Sequence, residues 1–383
     1  MAGGVLARAV LPPLLAFTLA RSVLGAAALA AGVPPARPGS WCRFDCAHYM
    51  RIALHGYELA PCPADSRDAG LWCGNAAWLP GYPLLTRAVH SLGVSPRGAA
   101  MAVSAAFTLL ALGLLWAALA GPLAGLGAPS RAAAAAALGL AAFFPGTVYA
   151  HAISPLGVFG CAALASLLLA AGDRPLAAGL AGAAAAFTYP PGFLLAPVLG
   201  AGFLLGPGVL STRVRHATLS AAVAASGFAA VMVLQYFDTG QWLGFALVQG
   251  DYHYSLRSPL VSLSGRVAPL FLSPFEGAGE ALAAQTLLVG LLVVSGAGGV
   301  LIALRAAAFG ARERFVALYA VAAWLLPLVV GEEEGGLHRR EAALLPLVLL
   351  TARLPAPLQA TLAGAAAVVA YAVALLFFRG QLV

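Results

Sequence analysis

Long apolar runs alternate with short polar breaks along nearly the whole chain. Runs approaching the ~20 residues that carry a helix across a bilayer extend over Val5–Ala31, Ala99–Gly121, Ala132–Ala150, Ala152–Ala171, Leu176–Tyr189 and Gly192–Leu210. They continue over Ala217–Tyr236, Ala281–Leu304, Phe315–Val330, Ala342–Thr351 and Leu358–Phe378. Several fall short of a full crossing, and the pair flanking Tyr189-Pro190-Pro191-Gly192 has the punctuation of a re-entrant hairpin, so the pattern predicts about nine to eleven crossings. The expected fold is all-α: one polytopic membrane domain over residues 1–383, with a large first outer loop at 33–98.

Composition agrees. Of 383 residues, 61% are hydrophobic and 9% charged, against roughly 25% charged in a soluble domain. The first run is too long, and too interrupted by Arg21, for a cleaved signal peptide. A net charge of +7 suggests nucleic-acid binding only until the arginines are placed. Arg131, Arg174, Arg213, Arg215, Arg305, Arg312, Arg314 and Arg353 fall in alternate short loops, the positive-inside signature. No nucleic-acid partner is expected.

With the amino terminus inside, residues 33–98, 237–280 and 331–341 form the outer face, in a bacterial plasma membrane or, in a eukaryote, the endoplasmic reticulum. That face holds twelve of the fourteen acidic residues, the exceptions being Asp173 and Glu313. Polar chemistry gathered on one side suits an enzyme whose acceptor arrives from the lumen or the exterior. Cys42, Cys46, Cys62 and Cys73 share the first outer loop, where an oxidising compartment allows up to two disulfides in three pairings. Glu332-Glu333-Glu334 reads as a solvated loop, and no metal is expected.

Two stretches of the first loop carry candidate chemistry. In the run from Trp41 to Glu58, Asp45 opens an amphipathic helical pattern that stops at Gly56, and Asp45, His48, Tyr49 and Ile52 share one face. Asp45 reads as a helix N-cap accepting backbone N–H bonds, a role compatible with proton abstraction by its remaining oxygen. Downstream, Asn75 to Leu85 includes Trp78 and the turn Leu79-Pro80-Gly81-Tyr82-Pro83, with aromatics suited to the headgroup level.

Together these segments resemble the PIG-V-type mannosyltransferases, which include the second mannosyltransferase of glycosylphosphatidylinositol assembly and bacterial relatives. The resemblance lies in Asp45-Cys46-Ala47-His48-Tyr49, Ile52-Ala53, Gly56-Tyr57-Glu58 and Leu79-Pro80-Gly81-Tyr82-Pro83. Looser matches follow at Phe144-Pro145-Gly146-Thr147, Gly179 to Gly192, Thr239 to Gln249, and Arg339-Arg340 through Pro346. The chain departs from the family pattern at Phe44, where Trp is usual, at Ala152-Ile153-Ser154-Pro155, which lacks an acid, and around Thr188-Tyr189-Pro190-Pro191. The resemblance implies a GT-C fold, a polyprenyl- or dolichyl-phosphate sugar donor, commonly of mannose, as co-substrate, and a glycolipid or other outer-face acceptor. No further cofactor is implied, and membrane lipids surround the protein.

In such a reaction Asp45 takes the acceptor proton, with His48 and Tyr49 beside it and Trp78 and Gln249 in matching segments. His338, Arg339 and Arg340 are the first candidates for the lipid phosphate, with Arg257 and Arg266 behind them. Arg339-Arg340 also reads as an interfacial anchor snorkelling to headgroups. The competing functions are a GT-C enzyme using another sugar and a transporter or lipid-handling protein without catalysis; a transporter would show repeats and mid-membrane ionisable residues. Here the polar residues cluster in loops.

Overall fold

The apolar runs fold as helices because a backbone placed in hydrocarbon satisfies its polar groups only internally. The structure is a computed structural model describing residues 2–65, 69–121, 123, 129–249, 255–272, 278–302, 310–331 and 337–382. The triple glutamate at 332–334 lies outside the described residues. The helices are α1 (Ala2–Ala30), α2 (Cys46–His55), α3 (Gly81–His90), α4 (Pro96–Ala120), α5 (Arg131–Ala142), α6 (Thr147–His151) and α7 (Leu156–Ala171). They continue with α8 (Pro175–Thr188), α9 (Leu195–Leu204), α10 (Leu210–Thr239), α11 (Gly244–Gln249), α12 (Pro259–Val267) and α13 (Pro269–Leu272). The series ends with α14 (Ala278–Leu292), α15 (Gly299–Ile302), α16 (Ala311–Val329), α17 (Leu337–Glu341), α18 (Val348–Thr351) and α19 (Ala356–Arg379). Two short antiparallel pairs accompany them: β1 (Leu59–Pro61) with β2 (Trp72–Gly74), and β3 (Ser255–Leu256) with β4 (Val330–Gly331).

Among the described residues, five helical stretches are long and apolar enough to cross a membrane: Arg8–Ala30, Pro96–Ala120, Leu210–Thr239, Gly279–Leu301 and Ala356–Arg379. The chain is a multi-pass integral membrane protein. Leu11, Leu14, Leu15 and Leu19 on α1 are exposed, as lipid-facing side chains are, whereas Ala20, Leu24, Ala27 and Ala28 are buried against the bundle.

Several expected spans are broken. The run Ala132–Ala150 divides into α5 and α6, because Pro145 lacks a donor and Gly146 takes φ +78. The Tyr189-Pro190-Pro191-Gly192 stretch ends α8 and opens a 3-10 turn, Pro190–Leu194, that leads into α9. Ala342–Leu347 is likewise 3-10 around Pro346 before α18, and Val293–Gly298 is a π-helical insertion after α14. The sequence pattern left 237–280 as loop, yet α12 and α13 lie there as short apolar helices.

Close approach of α8 and α10 rests on small residues, as in many membrane bundles. A Cβ on Gly227 would lie 2.1 Å from the Ala183 carbonyl oxygen. At one end of the bundle, Arg312 donates to Ala118 O at 2.9 Å, Arg353 pairs with Glu313 at 3.0 Å, and His216 meets Asp173 at 3.1 Å. The three stretches read as outer loops meet at the other. Tyr57 N–H donates to Asp238 at 3.0 Å, Arg257 N–H to Val329 O at 2.8 Å, and β3 pairs with β4.

Candidate active site

The site begins with a turn wedged against the carboxyl-terminal end of α19. Trp41 is buried edge-on to Phe378 at 4.9 Å, and its indole N–H donates to Pro35 O at 2.8 Å. Arg21 of α1 lies over its ring, 3.6 Å from the centroid, and donates to His151 O at 2.8 Å. Packing against neighbours thus accounts for an arginine inside the first span. Arg43 donates to Phe378 O at 3.1 Å. Disulfides join Cys42 to Cys46 and Cys62 to Cys73, so two of the expected bridges form and Cys161 stays free.

Asp45 occupies the N-cap position of α2, but its side chain makes no capping bond. The expected cap is corrected by its backbone: φ −66 and ψ −6 place Asp45 in the helical region, not the extended region from which a cap side chain reaches back. The carboxylate turns away and accepts from Arg339 Nη1. Burial alone would lower the Arg339 pKa, but the Asp45 carboxylate and surrounding tyrosines outweigh it and raise it. This guanidinium is permanently charged.

Helix α2 presents the face its pattern predicted. Tyr49 and Ile52 are buried, and His48 stacks on Trp78. Burial first, and the Asp45 carboxylate second, push the Tyr49 phenol well above its usual pKa. Gly56, at φ +88, ends the helix. The Trp78 loop is then fixed by polar contacts: Tyr57 Oη donates to Trp78 O at 2.8 Å, and Asn75 Nδ2 to Gly56 O at 3.1 Å. Gln235 of α10 donates to Ala76 O at 2.7 Å and accepts from Phe245 N–H at 2.9 Å. These bonds bring α11, with Gln249, beside the first loop.

Three consecutive basic residues on α17 point in three directions, since successive helical residues are about 100° apart. His338 is buried and its Nε2 meets Tyr149 Oη at 2.8 Å. Arg339 reaches Asp45, and Arg340 lines the adjoining cavity.

That cavity has a volume of about 540 Å³. Asp45, Tyr49, Trp78, Gln249, Arg339 and Arg340 line it together with apolar groups including Pro190, Phe193, Phe245 and Leu326. A second recess of about 20 Å³ shares Asp45, Tyr49, Tyr189 and Arg339 with it. The Asp45–Arg339 pair therefore stands between two spaces. Of the sequence candidates, His48 lies behind Trp78 and His338 behind Arg339, and neither lines the cavity. Arg257 is exposed, with its backbone N–H on Val329 O next to the β3–β4 pair, and is not among the described residues that line the cavity. Tyr189, Phe193 and Phe245 line the cavity without being site candidates from the sequence, although Phe245 lies in the family-like segment from Thr239 to Gln249. The only signal for the first two was the paired proline between them, which ends α8 at the cavity wall.

An arginine pair beside a carboxylate, in a cavity also lined by apolar groups, can hold an anionic headgroup, accept a proton and shelter a hydrocarbon chain. Among the described residues no three His, Cys, Asp or Glu side chains converge as a metal site would require.

No protein-family model matches the chain, and no curated protein matches it. Among solved structures it is similar to an oligosaccharyltransferase of Archaeoglobus fulgidus, determined in complex with zinc and sulfate. The TM-score is 0.48 and the identity 13%, over 90% of this chain and 49% of that one, so the chain spans about half the length of that protein.

Proposed function

We propose that the protein transfers a sugar, by family resemblance mannose, from a polyprenyl- or dolichyl-phosphate donor to a hydroxyl of a glycolipid-type acceptor. The observation that carries the reading is Asp45, paired with Arg339 in the lining of a cavity that has both polar and apolar groups. The PIG-V-like motif around Asp45 supports the same assignment. Arg340 and Arg339 would bind the donor phosphate, since guanidinium forks suit phosphate oxygens. The apolar groups would take the first part of the lipid chain.

In the reaction, the acceptor oxygen forms a bond to the anomeric carbon as the bond from that carbon to the phosphate oxygen breaks. The bonding pair leaves with the lipid phosphate, and the acceptor proton passes to Asp45. Charge grows on the phosphate as it departs, so the arginines bind the transition state more tightly than the ground state. Asp45 is the single carboxylate among the described lining residues. A direct displacement with Asp45 as the base would invert the configuration at the anomeric carbon.

The test is incubation of the purified full-length chain with radiolabelled polyprenyl-phosphate mannose and membrane lipids. Labelled glycolipid is expected, and Asp45→Asn should reduce its formation by roughly 10²-fold or more, the scale of losing a positioned base. Asn preserves size and the option of capping. Donor binding without transfer by wild-type protein would favour lipid handling instead. Full activity in a folded Asp45→Asn protein would remove Asp45 from the chemistry.

A further inference from the structure

The turn that presents Asp45 is held in a conformation its own residues disfavour. Cys46 N–H donates to Arg43 O at 3.1 Å and closes a four-residue turn. Its second residue, Phe44, has φ +52, a left-handed geometry that is uncommon for any non-glycine side chain and an outlier for a bulky one. Asp45 follows in the helical region, with its carboxylate rotated off the helix end. Relaxation of Phe44 to an ordinary φ would change the direction of Asp45 and let it return to capping the free amides of α2.

The Cys42–Cys46 disulfide spans this turn. Cys42 follows the 3-10 segment Pro38–Trp41, and Cys46 is the first residue of α2. The bond fixes the approach of the two pieces, with Cα atoms 5.2 Å apart and Phe44 and Asp45 enclosed between them. Because the closed loop is very short, the bridge restricts little of the unfolded chain, and its main effect is local. The second disulfide, Cys62–Cys73, flanks the β1–β2 pair and encloses no residue of the site.

We propose that the Cys42–Cys46 disulfide is a positioning device: it holds the turn in the strained form that takes Asp45 off its own helix and delivers it to Arg339. The inference deepens the assignment of Asp45 as proton acceptor, and rests on that assignment only for its consequence in turnover.

The experiment reads the Asp45–Arg339 contact directly, by a double-mutant cycle of Asp45→Asn and Arg339→Gln in thermal unfolding of the full chain in detergent. With the disulfide present, the two Tm shifts should be non-additive. In a Cys42→Ser/Cys46→Ser background they should become additive, while the Cys62→Ser/Cys73→Ser protein keeps the coupling. Phe44→Gly added to the Cys42→Ser/Cys46→Ser protein should restore part of the coupling, because glycine adopts a positive φ without strain. Turnover of radiolabelled polyprenyl-phosphate mannose should fall roughly ten- to a hundredfold on loss of the bridge, with its KM little changed, the mark of a misplaced reacting group. Equal coupling with and without the bridge overturns the proposal, whatever the activity of Asp45→Asn. If the Cys42→Ser/Cys46→Ser protein does not fold, the cycle is run on Cys62→Ser/Cys73→Ser protein before and after reduction of its remaining disulfide. Loss of coupling on reduction supports the proposal, and persistence overturns it.

Discussion

The imidazole of His48 lies flat on the indole of Trp78, with ring centroids 3.5 Å apart and planes 5° from parallel. Trp78 lines the cavity, so His48 backs one wall of the site from behind that ring. Burial holds the His48 pKa below its ordinary value, with Asp45 opposing and Arg51 adding to the effect.

A depressed histidine pKa favours the neutral ring in the folded protein. Its contribution to stability is complete above the unfolded value of about 6.5 and is lost as the pH falls through the lower folded value. The Tm difference between wild type and His48→Phe should therefore be constant from pH 8 to 6.5, then turn against wild type in more acid buffer. Thermal unfolding in detergent across that range checks it; a pH-independent difference would show that His48 does not titrate there.

The two adjacent arginines should fail differently. Arg340 lines the cavity, whereas Arg339 pairs with Asp45, so Arg340→Ala should raise the KM for a lipid-phosphate sugar by roughly tenfold, the scale of one charged hydrogen bond. Arg339→Gln deprives Asp45 of its cation as well, and should lower both turnover and Tm. Steady-state kinetics on the two proteins separate the roles, and identical profiles would contradict the geometry.

Glu341, one residue beyond Arg340, is buried and accepts from Gln285 at 2.7 Å. Burial pushes its carboxyl up to about 7, against the hydrogen bonds from Gln285 and Thr286 and the charge of Arg266. For an acid whose folded pKa is raised, the contribution to stability is whole below the unfolded value of about 4.3 and is lost as the pH rises through the folded one. Glu341→Gln should match wild type in Tm near pH 4.5 and exceed it by several degrees at pH 8. Parallel curves would mean that the carboxyl is ionised throughout.

Gly227 and Gly113 offer a contrast in helix packing. An added Cβ at Gly227 meets a carbonyl oxygen at 2.1 Å, whereas one at Gly113 meets nothing within 4 Å. Gly227→Ala should cost about 1–3 kcal/mol through overpacking of α8 on α10. Gly113→Ala should be neutral or stabilise by about 0.5–1 kcal/mol. Melting curves of both variants decide it.

The membrane class and the helical architecture were legible because each apolar run declares itself locally. So was the neighbourhood of Asp45, whose amphipathic pattern ends at Gly56 as expected. The pairing of Asp45 with Arg339 was not legible, since it depends on how α17 docks after many intervening helices. The same limit hid Phe193, which looks like an ordinary lipid-facing aromatic until packing turns it toward the cavity. His338 illustrates the converse. Its place beside two arginines suggested a shared role, but the helical turn sends it to Tyr149 instead.

Asp45 and Arg339 are separated by 294 residues. At a synthesis rate of about 5–20 residues per second, roughly 15 to 60 s pass between their emergence from the ribosome. During that interval the first loop is already made while its charged partner does not yet exist. The site is thus a late product of biogenesis, completed only when α17 arrives. A chain truncated before α17 would still insert its earlier helices, yet would contain no assembled site.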